Sequence, residues 1–385
     1  MLEQYLTPVN PEELLAVNEL HVFQLGKIIK SSAAQIPDLR KVDIAIIGVC
    51  DGRNSVHNAG SEFAPNEIRR ELYKLYKGNY ALNLHDLGNI SAYESAEETH
   101  LVLKAVLEEL LKNNVICIIL GGSHDLTLSQ YKAYESSGRM VNLVMADDKI
   151  DFADDEKLHS ENYLKQMFLK VPNHLFNYCH LGYQSYLNDI WKTETLESLN
   201  FESYRLGILQ EQIEQMEPLV RNADLMSIDI SSVRMSDAPG NRAAGPNGFF
   251  GNELCQLCRY AGYSESLSSI GFYEVNPEAD NRNQTAKLTA QAIWYFVDGF
   301  YNRKNDFPHE QNPDSVRYTI AVDGFDYDLI FWKSLLTNRW WMQMPVEGKD
   351  KWTLQKLVPC TYDDYLQACN NELPDRWMRA YRKLI

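Results

Sequence analysis

The chain is short of positive charge: 37 lysines and arginines face 53 aspartates and glutamates, a formal net charge of −16 over 385 residues. Nothing in it forms the basic stripe that phosphate contacts need, so a nucleic-acid partner is excluded and small-molecule chemistry is expected. It has no uninterrupted apolar run of membrane-spanning length, and its opening, MLEQYLTPVNPEE, does not follow the charged-then-apolar order of a secretory signal. A cytoplasmic protein without a membrane partner is expected. Cysteine is also scarce: seven, an odd number scattered along a long chain, fit reduced thiols better than a disulfide framework. Cys255 and Cys258 make a CxxC inside GNELCQLCRYAG, but no second pair stands nearby, so they read as helix packing rather than a zinc or redox site. Repeats and low-complexity tracts are absent.

What is present is an ordinary globular composition, 45% hydrophobic, long enough for one large α/β domain with appendages. From residue 43 the pattern alternates. DIAIIGVC, ALNLHDLGNI, NVICIILGG, VNLVMAD, NYCHLGYQ and ADLMSIDIS read as strands, with a further short strand after WKTETLESLNF. Between them lie helical stretches such as NEIRRELYKLYKG and the amphipathic SAYESAEETHLVLKAVLEELLKNN. Repeated strand, loop and helix predict a mainly parallel sheet covered by helices on both faces, a three-layer αβα sandwich. Residues 1–40 read as a helical N-terminal extension, 41–305 as the αβα domain, and 306–385 as an aromatic-rich C-terminal extension packing on the core.

In a parallel sheet ligands bind beyond the carboxyl ends of the strands, so polar clusters directly after strands carry the information. Three stand out: GGSHD at 121–125, DDKID at 147–151 and DIS at 229–231. Together they supply His124, Asp147, Asp151 and Asp229, one imidazole and three carboxylates. That donor set suits a hard to borderline divalent ion such as Mn²⁺, which would lower the pKa of bound water. Each residue taken singly is equally compatible with a core hydrogen bond, a helix cap or a solvated acidic turn.

The ordered series GVCDGRNSVHNAGSEFAPNEIRR, HDLGNI, GGSHD, DDKID, SIDISSVRMSDAPG and FYEVNPEAD resembles the ureohydrolases: arginase, agmatinase and formimidoylglutamase. The likeness runs from about Val42 to Tyr301. GGSHD, the interval from Asp151 to HSENYLKQM, and CHLGYQSYLND look most like formimidoylglutamase. The resemblance implies the arginase-like αβα fold and attack of a hydroxide, held between two Mn²⁺ ions, on an amidine or guanidino carbon. It also implies that His124, Asp147, Asp151 and Asp229 hold one ion, that Asp151 takes part in catalysis, and that Glu274 lies near the substrate's cationic group. His159 matches a proton-shuttling histidine only loosely.

The chain departs from the pattern at the second ion. The family's D-A-H-x-D falls on Asp147, Asp148, Lys149, Ile150 and Asp151, and its S-F-D-x-D on Ser227 to Ser231, so a histidine becomes Lys149 and an aspartate becomes Ser231. A second ion beside the Lys149 ammonium would meet a repulsion of roughly 4 kcal/mol at about 4 Å and intermediate effective dielectric. At most one ion, or none, is therefore expected, with Lys149 filling the second position. Two functions follow. One is a one-metal hydrolase of linear amidine C–N bonds in which Lys149 supplies the remaining positive charge. The other is a catalytically reduced relative that binds a metabolite or serves as a structural subunit. Association into homo-oligomers is compatible with the resemblance.

Overall fold

The computed structural model describes residues 2–15, 20–31, 36–325, 327–345 and 357–384. Nine strands form one sheet: β1 (Lys30–Ser31), β2 (Ile44–Cys50), β3 (Leu84–Ser91), β4 (Ile116–Leu120), β5 (Val141–Ala146), β6 (Leu175–Tyr183), β7 (Glu202–Arg205), β8 (Leu225–Asp229) and β9 (Ser269–Tyr273). Their order is β1-β3-β2-β4-β9-β8-β5-β6-β7, and every neighbouring pair is parallel. This is the α/β sandwich expected from the alternation.

Side-chain alternation along the strands separates two apolar layers. Ile44 and Ile46 of β2, with Val144 and Ala146 of β5, join Ile68, Leu254, Leu257 and Ile293 of the helices Ala64–Leu72, Gly251–Tyr263 and Gln284–Tyr301. Ala45 and Ile47 point the other way, onto Leu103, Val106 and Leu107 of the helix Ala96–Lys112. That helix starts where a capping box closes it: Ser95 accepts from the Glu98 N–H at 3.1 Å, and Glu98 accepts from the Ser95 N–H at 3.2 Å. Cys255 and Cys258 are buried in the helical layer.

The structure differs from the sequence reading in three places. The stretch around 11–30 is not one helix: it contains short helices at Pro11–Leu15 and Leu25–Ile28, residues 16–19 lie outside the described residues, and Lys30–Ser31 adds the edge strand β1. β9 was not anticipated, because SIGFY is five residues long and carries a glycine, yet it occupies the centre of the sheet between β4 and β8. The aromatic C-terminal segment forms a sheet of its own, β10 (Ser315–Ile320), β11 (Leu329–Ser334), β12 (Trp340–Gln343) and β13 (Leu357–Cys360), antiparallel throughout. Phe331 and Met342 pair across strands on the face that packs with Trp377, and Trp332 and Trp341 pair on the other. Most of these aromatics thus pack on one another. The main domain reaches them through Arg221, which donates to the Trp340 carbonyl at 2.5 Å and lies 4.6 Å from the Trp341 ring centre.

A buried ion pair fixes the β3 edge. Arg69, fully enclosed, donates to both Asp86 oxygens at 2.7 and 3.0 Å, and Tyr73 donates to the same carboxylate at 2.6 Å.

Candidate metal centre

β4, β5, β8 and β9 are contiguous in the sheet, and the chain leaves each of them at the same end. After β4 it passes Gly121 and Gly122 before His124. A Cβ on Gly122 would stand 1.9 Å from the Asp51 carbonyl, so only glycine admits this approach. β5 delivers Asp147, Asp148, Lys149 and Asp151, and β8 ends in Asp229. β9 is followed directly by Glu274, whose φ of 62° places a side chain in the left-handed region, a local strain of about 1 kcal/mol or more. Strain held at a strand end beside buried carboxylates is typical of a functional site.

Three carboxylates converge on one ring nitrogen. Asp151 Oδ2 lies 3.0 Å from His124 Nδ1, Asp229 Oδ2 3.3 Å and Asp147 Oδ2 3.5 Å. The other ring nitrogen, Nε2, is 3.0 Å from the Ser227 hydroxyl, and the Tyr163 ring meets the imidazole edge to face. The His124 backbone N–H donates to Glu274 Oε1 at 2.9 Å. Glu274 also accepts from Ser55 at 2.8 Å and from Asn58 at 2.8 Å. The space enclosed by these groups is only about 30 Å³, the scale of a single water or ion.

Charge this close and this buried moves titration. Burial, then the charges of Asp147 and Asp229, pushes Asp148 up to about 8. Burial and Asp229 push Glu274 to about 8, and burial raises Asp151 to about 6 against the pull of His124. Asp147 is raised by burial and by its two acidic neighbours. Burial opposes the charged form of His124, but its bonds to Asp147, Asp151 and Asp229 outweigh that and hold its pKa above the ordinary value. Crowded, buried carboxylates short of countercharge shift toward the protonated form in this way.

The donor set fits a divalent ion. Ligand atoms of His124, Asp147 and Asp229 all lie within 4.8 Å of one another, Asp151 joins them through its contact with Nδ1, and the second imidazole nitrogen is anchored by Ser227 as ligand histidines require. His124, Asp147, Asp151, Asp229 and Glu274 are therefore brought together. His159 is not: its ring pairs with Asp155 at 2.9 Å, and Ser160 and Glu161, not His159, line the small cavity. Lys149 also lines the cavity. Its backbone N–H donates to Asp147 at 3.0 Å, but its ammonium is 2.6 Å from Glu161.

Several residues escaped the sequence reading. Asp148 was visible within DDKID but was assigned no role; it is 1% exposed and shares the cavity wall. Ser55, Asn58 and Glu161 come from loops whose composition carries no signal. A cavity of about 1000 Å³ lies elsewhere, lined by Ile116, Leu267, Arg303 and Trp341 near the opposite ends of the strands. The cluster of potential ligand atoms is not on its walls, so the small acidic cavity is the candidate site.

A model of the arginase family matches residues 42–298. Formimidoylglutamase of Bacillus subtilis (strain 168) is 24% identical over 278 residues, 66% of this chain and 86% of the relative. Formimidoylglutamase of Streptococcus gordonii is 26% identical over 323 residues, 77% of this chain and 98% of the relative. Among solved structures, Trypanosoma cruzi formiminoglutamase with Mn²⁺ superimposes with a TM-score of 0.65 at 20% identity, covering 70% of this chain and 97% of that one. Agmatine ureohydrolase of Thermoplasma volcanium gives 0.59 at 19% identity, covering 75% and 97%. Among the described residues no helix is long and apolar enough to cross a membrane. With the family model spanning most of the αβα sheet and the acidic centre at its carboxyl end, the chain belongs to the arginase family.

Proposed function

We propose that this chain is a cytoplasmic, manganese-dependent hydrolase of linear amidine C–N bonds, with formimidoyl amino acids as its substrate class. The observation that carries the reading is the convergence of Asp147, Asp151 and Asp229 oxygens on His124 Nδ1. The ion would be held by these four residues, and when bound it supplies the Lewis acidity that brings water ionisation toward neutral pH. Ser227 sets the orientation of the imidazole. Glu274, already holding the His124 N–H, Ser55 and Asn58, positions the His124 loop, while its buried carboxyl still lines the cavity where an amidine would approach. Asp151, which lines the cavity beside His124, is placed to carry a proton to the departing nitrogen. Water adds its oxygen to the amidine carbon, the C–N bond to the amino acid breaks, and formamide and the free amino acid leave.

One ion on the His124 face suffices for this reading. The expectation of no more than one rested on Lys149 balancing three aspartates. That charge count changes here, because Asp148 joins the carboxylates and Glu161 neutralises Lys149.

The test is release of formamide, urea or ammonia from N-formimidoyl-glutamate, arginine and agmatine with and without Mn²⁺. Formamide from the first substrate, dependent on Mn²⁺, is expected. Lys149, which stands at the motif position where the resemblance leads one to expect a ligand histidine and is already paired with Glu161, favours a second reading as a catalytically reduced relative. Silence with all three substrates and no bound ion would establish that second reading. Lys149→His with Ser231→Asp then asks whether metal loading alone can be recovered.

A further inference from the structure

Asp147 presents its two oxygens to different neighbours. Oδ2 faces His124 at 3.5 Å, whereas Oδ1 accepts from the Lys149 N–H at 3.0 Å and lies 3.3 Å from the Ser231 hydroxyl. Asp229 is divided in the same way, with Oδ2 toward His124 at 3.3 Å and Oδ1 accepting from the Ser231 N–H at 2.7 Å. The centre thus has a second face, on the side of Ser231. Asp148 stands on it, with Oδ1 3.0 Å from Ser231 Oγ.

Two departures from the family motifs meet at this contact. Position 231 carries serine where the resemblance leads one to expect aspartate, and position 148 carries aspartate where it leads one to expect alanine. They are 83 residues apart in the chain and touch in the fold. A carboxylate missing from the β8 wall of the cavity is supplied from the β5 wall, and the serine hydroxyl that remains orients it. A capping role does not account for Asp148: among the described residues the donor to its carboxylate is the Ser231 hydroxyl, and no backbone N–H reaches it.

We infer that Asp148 is a metal ligand that restores the second ion position, an all-oxygen set formed with Asp147, Asp229 and the Ser231 hydroxyl. Such a set selects a hard cation, Mn²⁺ or Mg²⁺, over zinc. Lys149 does not bar it, since its ammonium is held by Glu161. The inference rests on the ion-binding reading of the His124 face, because Asp147 and Asp229 serve both faces.

The full chain, stripped of metal and then equilibrated with Mn²⁺, is assayed by elemental analysis for ions per chain and by electron paramagnetic resonance for a spin-coupled pair. Two ions and a coupled signal are expected for the wild type, one uncoupled ion for Asp148→Ala, and two again for Asp148→Ala with Ser231→Asp. The ion retained by the single variant shows that it is folded and that the His124 face is intact. A wild type holding one ion, an Asp148→Ala variant matching the wild type, or a double variant that stays at one ion would each overturn the assignment. A wild type holding none would instead overturn the metal-dependent reading beneath it.

Discussion

The Lys149 ammonium sits 2.6 Å from Glu161 Oε1, and both side chains are roughly one-third exposed. The pair holds a lysine that follows two aspartates in the wall of the cavity, where its charge is shared between Glu161 and the neighbouring acids Asp148 and Asp151.

Removing that counterion should set Lys149 against the cation. In Glu161→Gln the freed ammonium faces the same carboxylates an ion would use, and Mn²⁺ affinity is expected to fall severalfold, corresponding to about 1 kcal/mol for a partly exposed pair. Lys149→Gln should do the opposite and tighten binding. Calorimetric titration with Mn²⁺ reads both, and equal affinities in the three proteins would show that the pair is electrostatically idle.

Ser227→Ala removes the hydroxyl 3.0 Å from His124 Nε2 without touching any proposed ligand. Loss of such an outer partner typically weakens metal binding by about 10 to 100-fold. The same titration checks it, with circular dichroism to confirm that the fold is unchanged.

The titration shifts predict how ion-free protein responds to pH. Asp148 and Glu274, near 8 in the fold, and Asp151, near 6, hold protons that an unfolded chain releases at about 4. Between about pH 4 and 8 the native state therefore binds more protons, and its stability falls as pH rises. His124 acts in the same direction: its raised pKa stabilises the fold below its unfolded value of about 6.5, a contribution lost as pH climbs through the folded value. The ion-free melting temperature should decline from pH 5 to pH 8, and added Mn²⁺ should raise it most at pH 8, where proton competition in this range is weakest. A Mn²⁺ stabilisation that shrinks with rising pH would contradict this account.

Arg69→Met strands the Asp86 carboxylate in the interior with only Tyr73 and a backbone N–H as donors. Breaking a buried pair from one side costs about 3 to 5 kcal/mol, so urea unfolding should shift to clearly lower denaturant. Arg69→Met with Asp86→Leu should recover part of that loss.

The legible part of this protein was the part written in short repeats. IAIIGVC and VNLVMA read as buried strands because their apolar residues are continuous, and SAYESAEETHLVLKAVLEELLKNN read as a helix because its apolar residues recur at helical spacing. The ligand set His124, Asp147, Asp151 and Asp229 could be named because it falls directly after such strands. β9 escaped because five residues containing a glycine carry too weak a period, although burial between β4 and β8 makes it central.

By itself, then, the sequence determined the alternation that builds a parallel sheet, the strand ends where charge collects, and the motif positions, 148, 149 and 231 among them, at which this chain departs from its family. Only the tertiary structure decided what those departures mean. Beyond the last strand residue the backbone leaves the two-residue alternation, so nothing local dictates where the Asp148 and Lys149 side chains point. Their directions come from partners supplied by other loops. Ser231, from the end of β8, donates to Asp148, and Glu161, twelve residues after Lys149, pairs with the ammonium.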